Sequence, residues 1–134
     1  LILDEPTAGL DPKERIRIRN LISEVAKDKI VIIATHVVTD VEFIAKEIVM
    51  LSNGKIIRSG SPSKLLNELD GKVWNIFLSD NEIDEVNTGY KVSNISRDAD
   101  GVIARIIADS YDGRWQKEAV RPNLEDLYLY LNGD

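Results

Sequence analysis

The first twelve residues, LILDEPTAGLDP, place three apolar side chains before two adjacent carboxylates, Asp4 and Glu5, which are followed by Pro6. A residue that precedes proline is disfavoured in the helical region, so we expect Glu5 to be extended and the acid pair to end a strand. Ligands of open parallel sheets bind at the carboxyl ends of the strands. This segment therefore predicts a buried strand that presents two acids to a ligand.

A second apolar run, IVIIA over residues 30–34, ends in Thr35 and His36. A continuous run of β-branched residues is typical of a parallel strand that is covered on both faces. Because neighbouring strands lie about 5 Å apart, we expect Asp4 and His36 to lie close enough to share a ligand.

Helix signals separate and follow the two strands. Asp11 is a predicted N-cap that forms a capping box with Glu14, and a second capping box joins Thr39 to Glu42. Apolar residues at helical spacing predict a buried stripe on the first helix: Ile18, Leu21, Ile22 and Val25. Asn53-Gly54 lies between two apolar runs and predicts a β-hairpin with a type I′ turn.

The composition changes near Gly71, and we predict a domain boundary there, with residues 1–70 and 71–134 as the two parts. Ser61-Pro62 starts the last helix before this boundary, and Asp70-Gly71 ends it. The second part predicts an α+β module of three strands, with a fourth short strand between Trp115 and Val120. The predicted elements are strands at 72–78, 90–97 and 102–109, a helix at 80–87 capped by Ser79 with Glu82, and a helix from Pro122 that Gly133 stops.

Charge and composition exclude several function classes. The net charge is −6, and residues 71–134 hold seven Lys/Arg against twelve Asp/Glu. This balance disfavours nucleic acid and anionic lipid as partners, because both require clustered cations. The chain has no cysteine and one histidine, which excludes disulfides and any site with several histidine ligands. No segment is long and apolar enough to cross a bilayer.

Residues 1–12 resemble the Walker B segment and D-loop of ABC-type ATPases, and IVIIATHVVTDVE resembles their H-loop. The resemblance is close over residues 1–70. It is looser in the remainder, where GKVW and RPNLEDLYLYLNG look like the C-terminal extension of ATPase subunits from ABC-2-type exporters. It implies an α/β fold: the C-terminal part of a P-loop NTPase parallel sheet with flanking helices and a hairpin, plus a small α+β module.

The resemblance also implies roles for four residues. Asp4 would hold Mg²⁺, Glu5 would be the catalytic base, and His36 would contact the γ-phosphate of ATP and sense its departure. Asp11 would close the D-loop and communicate across the interface between two ATPase subunits. Simpler interpretations stay open at each position: a solvated strand end for the acids, an ordinary N-cap for Asp11 and a hydrogen-bonded surface residue for His36.

The implied parent protein is an ATP-hydrolysing subunit that powers export across a membrane. It would work as a homodimer beneath a permease formed by a separate chain, at the cytoplasmic face of the cell membrane. The chain contains neither a GxxxxGK[ST] loop nor an LSGGQ-type signature, so we expect a piece of a longer protein that binds no nucleotide and is inactive alone. Its strands should expose edges that promote a homodimer or a larger assembly.

Two other functions stay open. The parent could be a soluble ABC ATPase of the repair or translation type, which the acidic second half disfavours. Alternatively, residues 72–134 could be a binding or regulatory module, with the ATPase-like part incidental to its function.

Overall fold

The computed structural model describes residues 1–132 as a mixed α/β protein with three sheets. Within these residues the strands are β1 (Ile2–Asp4), β2 (Ile32–Ala34), β3 (Ile48–Ser52), β4 (Lys55–Gly60), β5 (Val73–Leu78), β6 (Lys91–Asp98), β7 (Gly101–Ile107) and β8 (Gln116–Ala119). The α-helices are α1 (Pro12–Val25), α2 (Val38–Ile44), α3 (Pro62–Leu66), α4 (Ile83–Gly89) and α5 (Leu124–Asn132). The predicted helix stop at Gly133 lies outside the described residues.

The strands β1 and β2 form a parallel pair, as predicted, with Ile2 opposite Ile32 and Asp4 opposite Ala34. The expected cover on both faces is wrong for this chain. The side chains of Ile2 and Ile32 are 76% and 58% exposed, whereas those of Leu3 and Ile33 are half-buried. Alternate residues of a strand point to opposite faces, so one face of this pair is open within the described residues.

Local signals at α1 are confirmed in part. The carboxylate of Asp11 accepts a hydrogen bond from the backbone N–H of Glu14 at 2.9 Å, as expected of an N-cap. The predicted capping box with Glu14 is wrong, because the Glu14 carboxylate instead binds the guanidinium of Arg17 at 3.0 Å, one turn further along the helix. Of the predicted apolar stripe, Ile22 is buried and Leu21 is exposed.

The predicted capping box of Thr39 and Glu42 is wrong. The helix α2 begins earlier than predicted, at Val38. The N–H of Val37, just before the helix, donates a hydrogen bond to the Thr35 hydroxyl. The Glu42 carboxylate reaches a distant partner and accepts a hydrogen bond from the backbone N–H of Leu124, the first residue of α5. A side chain predicted to cap its own helix therefore caps another.

The hairpin and the next helix are confirmed. Strands β3 and β4 pair in antiparallel fashion, and Asn53 and Gly54 have φ angles of +51° and +74°, as a type I′ turn requires. The Ser61 hydroxyl caps α3 by accepting a hydrogen bond from the N–H of Lys64.

The second half contains an antiparallel sheet in the order β6-β7-β5-β8, and β8 is the predicted fourth short strand. The capping box of Ser79 and Glu82 is present. The last helix begins at Leu124 and not at Pro122, because the Asn123 side chain and the Asp126 carboxylate each accept a hydrogen bond from the other's backbone N–H. This reciprocal pair fixes the first turn of α5.

Two apolar clusters form the core. One lies between α4 and the sheet and consists of Ile76, Leu78, Val86, Val102, Ala104, Ile106 and Tyr111. The other joins elements from before and after Gly71 and consists of Ile48, Leu65, Leu69, Val73, Ile107, Leu124 and Leu127. The domain boundary near Gly71 stays a prediction. No helix among residues 1–132 combines the length and hydropathy that a membrane span needs.

Candidate active site

The predicted site residues lie around the carboxyl ends of β1 and β2. Asp4 is the last residue of β1 and pairs in register with Ala34, the last residue of β2. The chain then places Glu5 and His36 in direct contact, with Glu5 Oε1 at 2.7 Å from His36 Nδ1. The partner of the imidazole in this structure is therefore the second acid of the pair, and the expectation that Asp4 and His36 share a ligand stays a prediction.

The backbone at Glu5 differs from the prediction. Glu5 has a φ of +47°, in the left-handed region, where an extended residue was expected. Its N–H donates to the carbonyl of Ala34 at 2.8 Å, and its own carbonyl accepts from the N–H of Ala8 at 3.2 Å. These bonds continue the β1–β2 ladder by one residue and start the turn, and together they hold a conformation that non-glycine residues rarely adopt.

Three donors surround the Glu5 carboxylate. The Thr35 hydroxyl donates to Oε2 at 2.9 Å, and the backbone N–H of His36 donates to Oε1 at 3.1 Å, beside the imidazole contact. The hydrogen bond from the His36 ring is the main cause that holds the pKa of Glu5 below its ordinary value, against a smaller opposing effect of burial. Glu5 is therefore ionised at neutral pH and can only accept protons.

Thr35 is part of this site, although sequence reasoning gave it no role. Its hydroxyl accepts a hydrogen bond from the N–H of Val37 at 3.0 Å, which directs its own proton toward Glu5. The sequence signal for such a role is its position between the apolar run at 30–34 and His36.

Asp4 is exposed, so its carboxylate is open to a ligand from solvent. Mg²⁺ is usually bound by one or two carboxylates together with water and substrate phosphates. Among residues 1–132, no group of three or more acidic or histidine side chains could hold a metal ion without such help. The donor set at Asp4 therefore fits a magnesium ion that arrives with a phosphate ligand.

Asp11 caps the helix α1 and forms no hydrogen bond with Glu5 or His36 among residues 1–132. It is exposed at the start of α1, and the geometry gives it the capping role described above. A role at a subunit interface stays a prediction.

A second, buried cluster lies next to the site and was missed by sequence reasoning. The Thr7 hydroxyl donates to Asp40 Oδ2, and both side chains are buried. Two guanidinium groups of α1 approach the same carboxylate, Arg19 at 3.7 Å and Arg15 at 3.9 Å. The signal was an acid inside the apolar segment VVTDV, where a solvent-facing position would not be expected.

Comparisons with known proteins agree on one group of relatives. The chain is 42% identical over 71 residues to the energy-coupling factor transporter ATP-binding protein EcfA2 of Lactococcus lactis, which covers 52% of this chain and 25% of that protein. It is 40% identical over 82 residues to human ATP-binding cassette sub-family A member 9, covering 61% of this chain and 5% of that protein.

A third relative is ABC transporter A family member 8 of Dictyostelium discoideum, 37% identical over 65 residues, or 48% of this chain and 8% of that protein. No protein-family model matches the chain. The chain thus spans a quarter or less of the curated relatives named here. Its homologues are ABC transporter ATP-binding proteins, matched at about 40% identity over half of its length.

Proposed function

We propose that this chain is part of the ATP-binding and ATP-hydrolysing subunit of an ABC transporter, with Glu5 as the general base. The observation that carries the proposal is the contact of Glu5 with His36 at the carboxyl ends of two parallel strands. Ligands of parallel sheets bind at this edge. The similarity to ABC transporter ATP-binding proteins supplies the class of ligand.

The chemistry asked of Glu5 is to orient a water molecule and to accept its proton as the water attacks phosphorus. An ionised carboxylate is the required form, and the three donors around Glu5 favour it. Both of its oxygens are engaged in the present geometry. The His36 side chain is 86% exposed, so its ring can turn away from Glu5 toward a phosphate without losing buried contacts.

Asp4 would hold Mg²⁺ at the same edge. The ion, when bound, neutralises charge on the phosphate oxygens. The backbone cradle and lysine of a phosphate-binding loop do not occur in this sequence, so the intact subunit would supply them from elsewhere. We accordingly expect ATP hydrolysis from the intact protein and none from this chain alone.

The remaining roles extend the same proposal. Asp11 would meet a second ATPase subunit, and a separate permease chain would tether the dimer to the inner face of the cell membrane. Export is the direction that the resemblance of the C-terminal segments favours. Acidic residues outnumber basic ones in the second half, which supports a protein partner over nucleic acid.

Substitution Glu5→Gln in the intact protein tests the proposal. The amide keeps the shape and cannot accept the proton, so we expect turnover to fall by about 10²- to 10⁴-fold while ATP still binds. Phosphate release and equilibrium nucleotide binding would be measured side by side. Glu24→Gln is the matched control, because Glu24 is an exposed helix residue that forms an ion pair with the equally exposed Lys27, and it should leave turnover unchanged. Wild-type turnover by Glu5→Gln would remove Glu5 from the role of base.

A further inference from the structure

The buried pair formed by Thr7 and Asp40 connects the two segments that carry Glu5 and His36. Thr7 lies two residues after Glu5, and Asp40 lies four residues after His36. Both residues are only 3% exposed, and the Thr7 hydroxyl donates directly to Asp40 Oδ2. The visible contact of the site, between Glu5 and His36, involves a largely exposed imidazole. Exposed ion pairs stabilise a fixed geometry only weakly.

The carboxylate of Asp40 is buried away from water. Burial of a charge is unfavourable unless hydrogen bonds and opposite charges compensate it. Oδ1 of Asp40 has no hydrogen-bond partner within the described residues, and Arg19 and Arg15 supply opposite charge from α1. Arg19 also stacks on the ring of Phe43, with its guanidinium carbon 4.1 Å from the ring centroid. The acid therefore links three segments: the turn after β1, α1 and α2.

We propose that Thr7 and Asp40 are positioning residues that hold Glu5 against His36. Their hydrogen bond fixes the distance between the turn after β1 and the first turn of α2. Glu5 precedes Thr7 by two residues and His36 precedes Asp40 by four, so the distance between these two segments affects the 2.7 Å contact of Glu5 with His36. Its importance for catalysis rests on the proposed function, whereas its effect on the geometry of His36 does not.

The geometric part is tested in this chain by nuclear magnetic resonance of the imidazole. His36 is the only histidine, so its ring nitrogens give an unambiguous signal. With Nδ1 held by Glu5, the neutral ring should carry its proton on Nδ1. Thr7→Val removes the hydroxyl while keeping the shape, and we expect the ring ¹⁵N shifts to move toward those of free imidazole. Thr7→Ser keeps the hydroxyl and should keep the wild-type shifts.

Two further variants separate positioning from loss of stability. Ile22→Val removes a methyl group from a buried residue of α1 and keeps the hydrogen bond of Thr7 with Asp40. The ring shifts should therefore stay as in the wild type. Thr7→Ala is the second variant if Thr7→Val does not fold, since it removes the same hydroxyl with less bulk. Wild-type ring shifts in a folded Thr7→Val or Thr7→Ala protein would overturn the proposal. So would a shift in Ile22→Val equal to theirs.

The catalytic part is tested in the intact protein. Misplacement of a catalytic group by about 1 Å can lower the rate up to about 10²-fold, so Thr7→Val should lower kcat by roughly 10- to 100-fold. The KM for ATP should change less than about twofold, because no group that touches nucleotide is removed. Thr7→Ser keeps the hydroxyl and should therefore have a kcat close to that of the wild type.

The comparison with Glu5→Gln distinguishes the two proposals. If Glu5→Gln abolishes turnover but Thr7→Val leaves both kcat and the His36 signals unchanged, only the positioning role fails. If Glu5→Gln turns over normally, the proposed function fails, and the nuclear magnetic resonance result still decides whether Thr7 and Asp40 position His36.

Discussion

The sheet formed by β1 and β2 and the sheet formed by β5 to β8 both contain apolar strands, but these strands have very different surroundings. Ile32 in β2 is 58% exposed, whereas Ile76 in β5 is fully buried beneath α4. An apolar run therefore indicates that a strand is suited to burial, and the elements present in the chain decide whether burial occurs. The first region carries the candidate chemistry, and the second carries most of the core.

The largest loss of stability that tests this comparison is expected at Asp126, whose helix α5 is bound to the sheet of β5 to β8 through Arg105. Its carboxylate is fully buried and receives hydrogen bonds from Arg105, Ser93 and the N–H of Asn123. Asp126→Ala would leave Arg105 without its buried partner, so we expect the free energy of unfolding to fall by about 3–5 kcal/mol. Urea denaturation measures it.

Asp80→Ala is the control for this variant, because Asp80 forms an ion pair with Arg97 in which both side chains are exposed. Exposed pairs contribute about 0–1 kcal/mol, so its unfolding midpoint should stay close to the wild type. Equal destabilisation by the two substitutions would contradict the assignment of Asp126 to the core.

The next effect compares one substitution in the two sheets. Ile76→Ala should lower the free energy of unfolding by about 2–5 kcal/mol, because it removes fully buried methyl groups and leaves a cavity. Ile32→Ala should change it by about 0.5 kcal/mol or less, as an exposed substitution does. Thermal or urea unfolding of both variants measures the difference. A large loss for Ile32→Ala would show that the open face of the β1–β2 pair is covered in solution, for example by a second copy of the chain.

The smallest expected effect is a pH dependence at Glu82, which follows β5 in the second half of the chain. Hydrogen bonds from the Ser79 backbone, the Trp115 indole, the Ser79 hydroxyl and Arg114 lower the pKa of Glu82 to about 2, from an ordinary value of 4.5. A lowered pKa stabilises the fold above about pH 4.5, and this contribution is lost as the pH falls toward 2. We expect Trp115 fluorescence to change over that interval.

Glu82→Gln is the control for this acid transition, because the chain contains many other carboxylates. The difference between wild type and variant isolates Glu82, and it should vanish below pH 2. A variant whose acid transition matches the wild type at every pH would mean that Glu82 does not hold Trp115.

The contacts that the sequence predicted are those between residues a few positions apart. The turn at Asn53-Gly54, the N-cap at Asp11 and the capping box of Ser79 with Glu82 depend on local backbone chemistry, and all are present. The parallel pairing of β1 with β2 is the exception, because it joins distant residues and was predicted from the continuous apolar run at 30–34.

The contacts that were missed join distant residues. The contact of Glu5 with His36 was not predicted, and it forms at a residue with a left-handed backbone where an extended one was expected. Glu42 caps a helix 82 positions away, and local rules assigned it to its own helix. Such partners are selected by the packing of whole elements, so no short sequence window contains them.

The start of α5 has a consequence for how the halves of this molecule communicate. Its first amide is bound by Glu42 of α2, and its Asp126 is bound by Arg105 of β7. The helix α5 thus connects the antiparallel sheet to α2, which begins two residues after His36. A displacement of the antiparallel sheet would therefore displace α5 and, with it, the Glu42 side chain that lies six residues after His36.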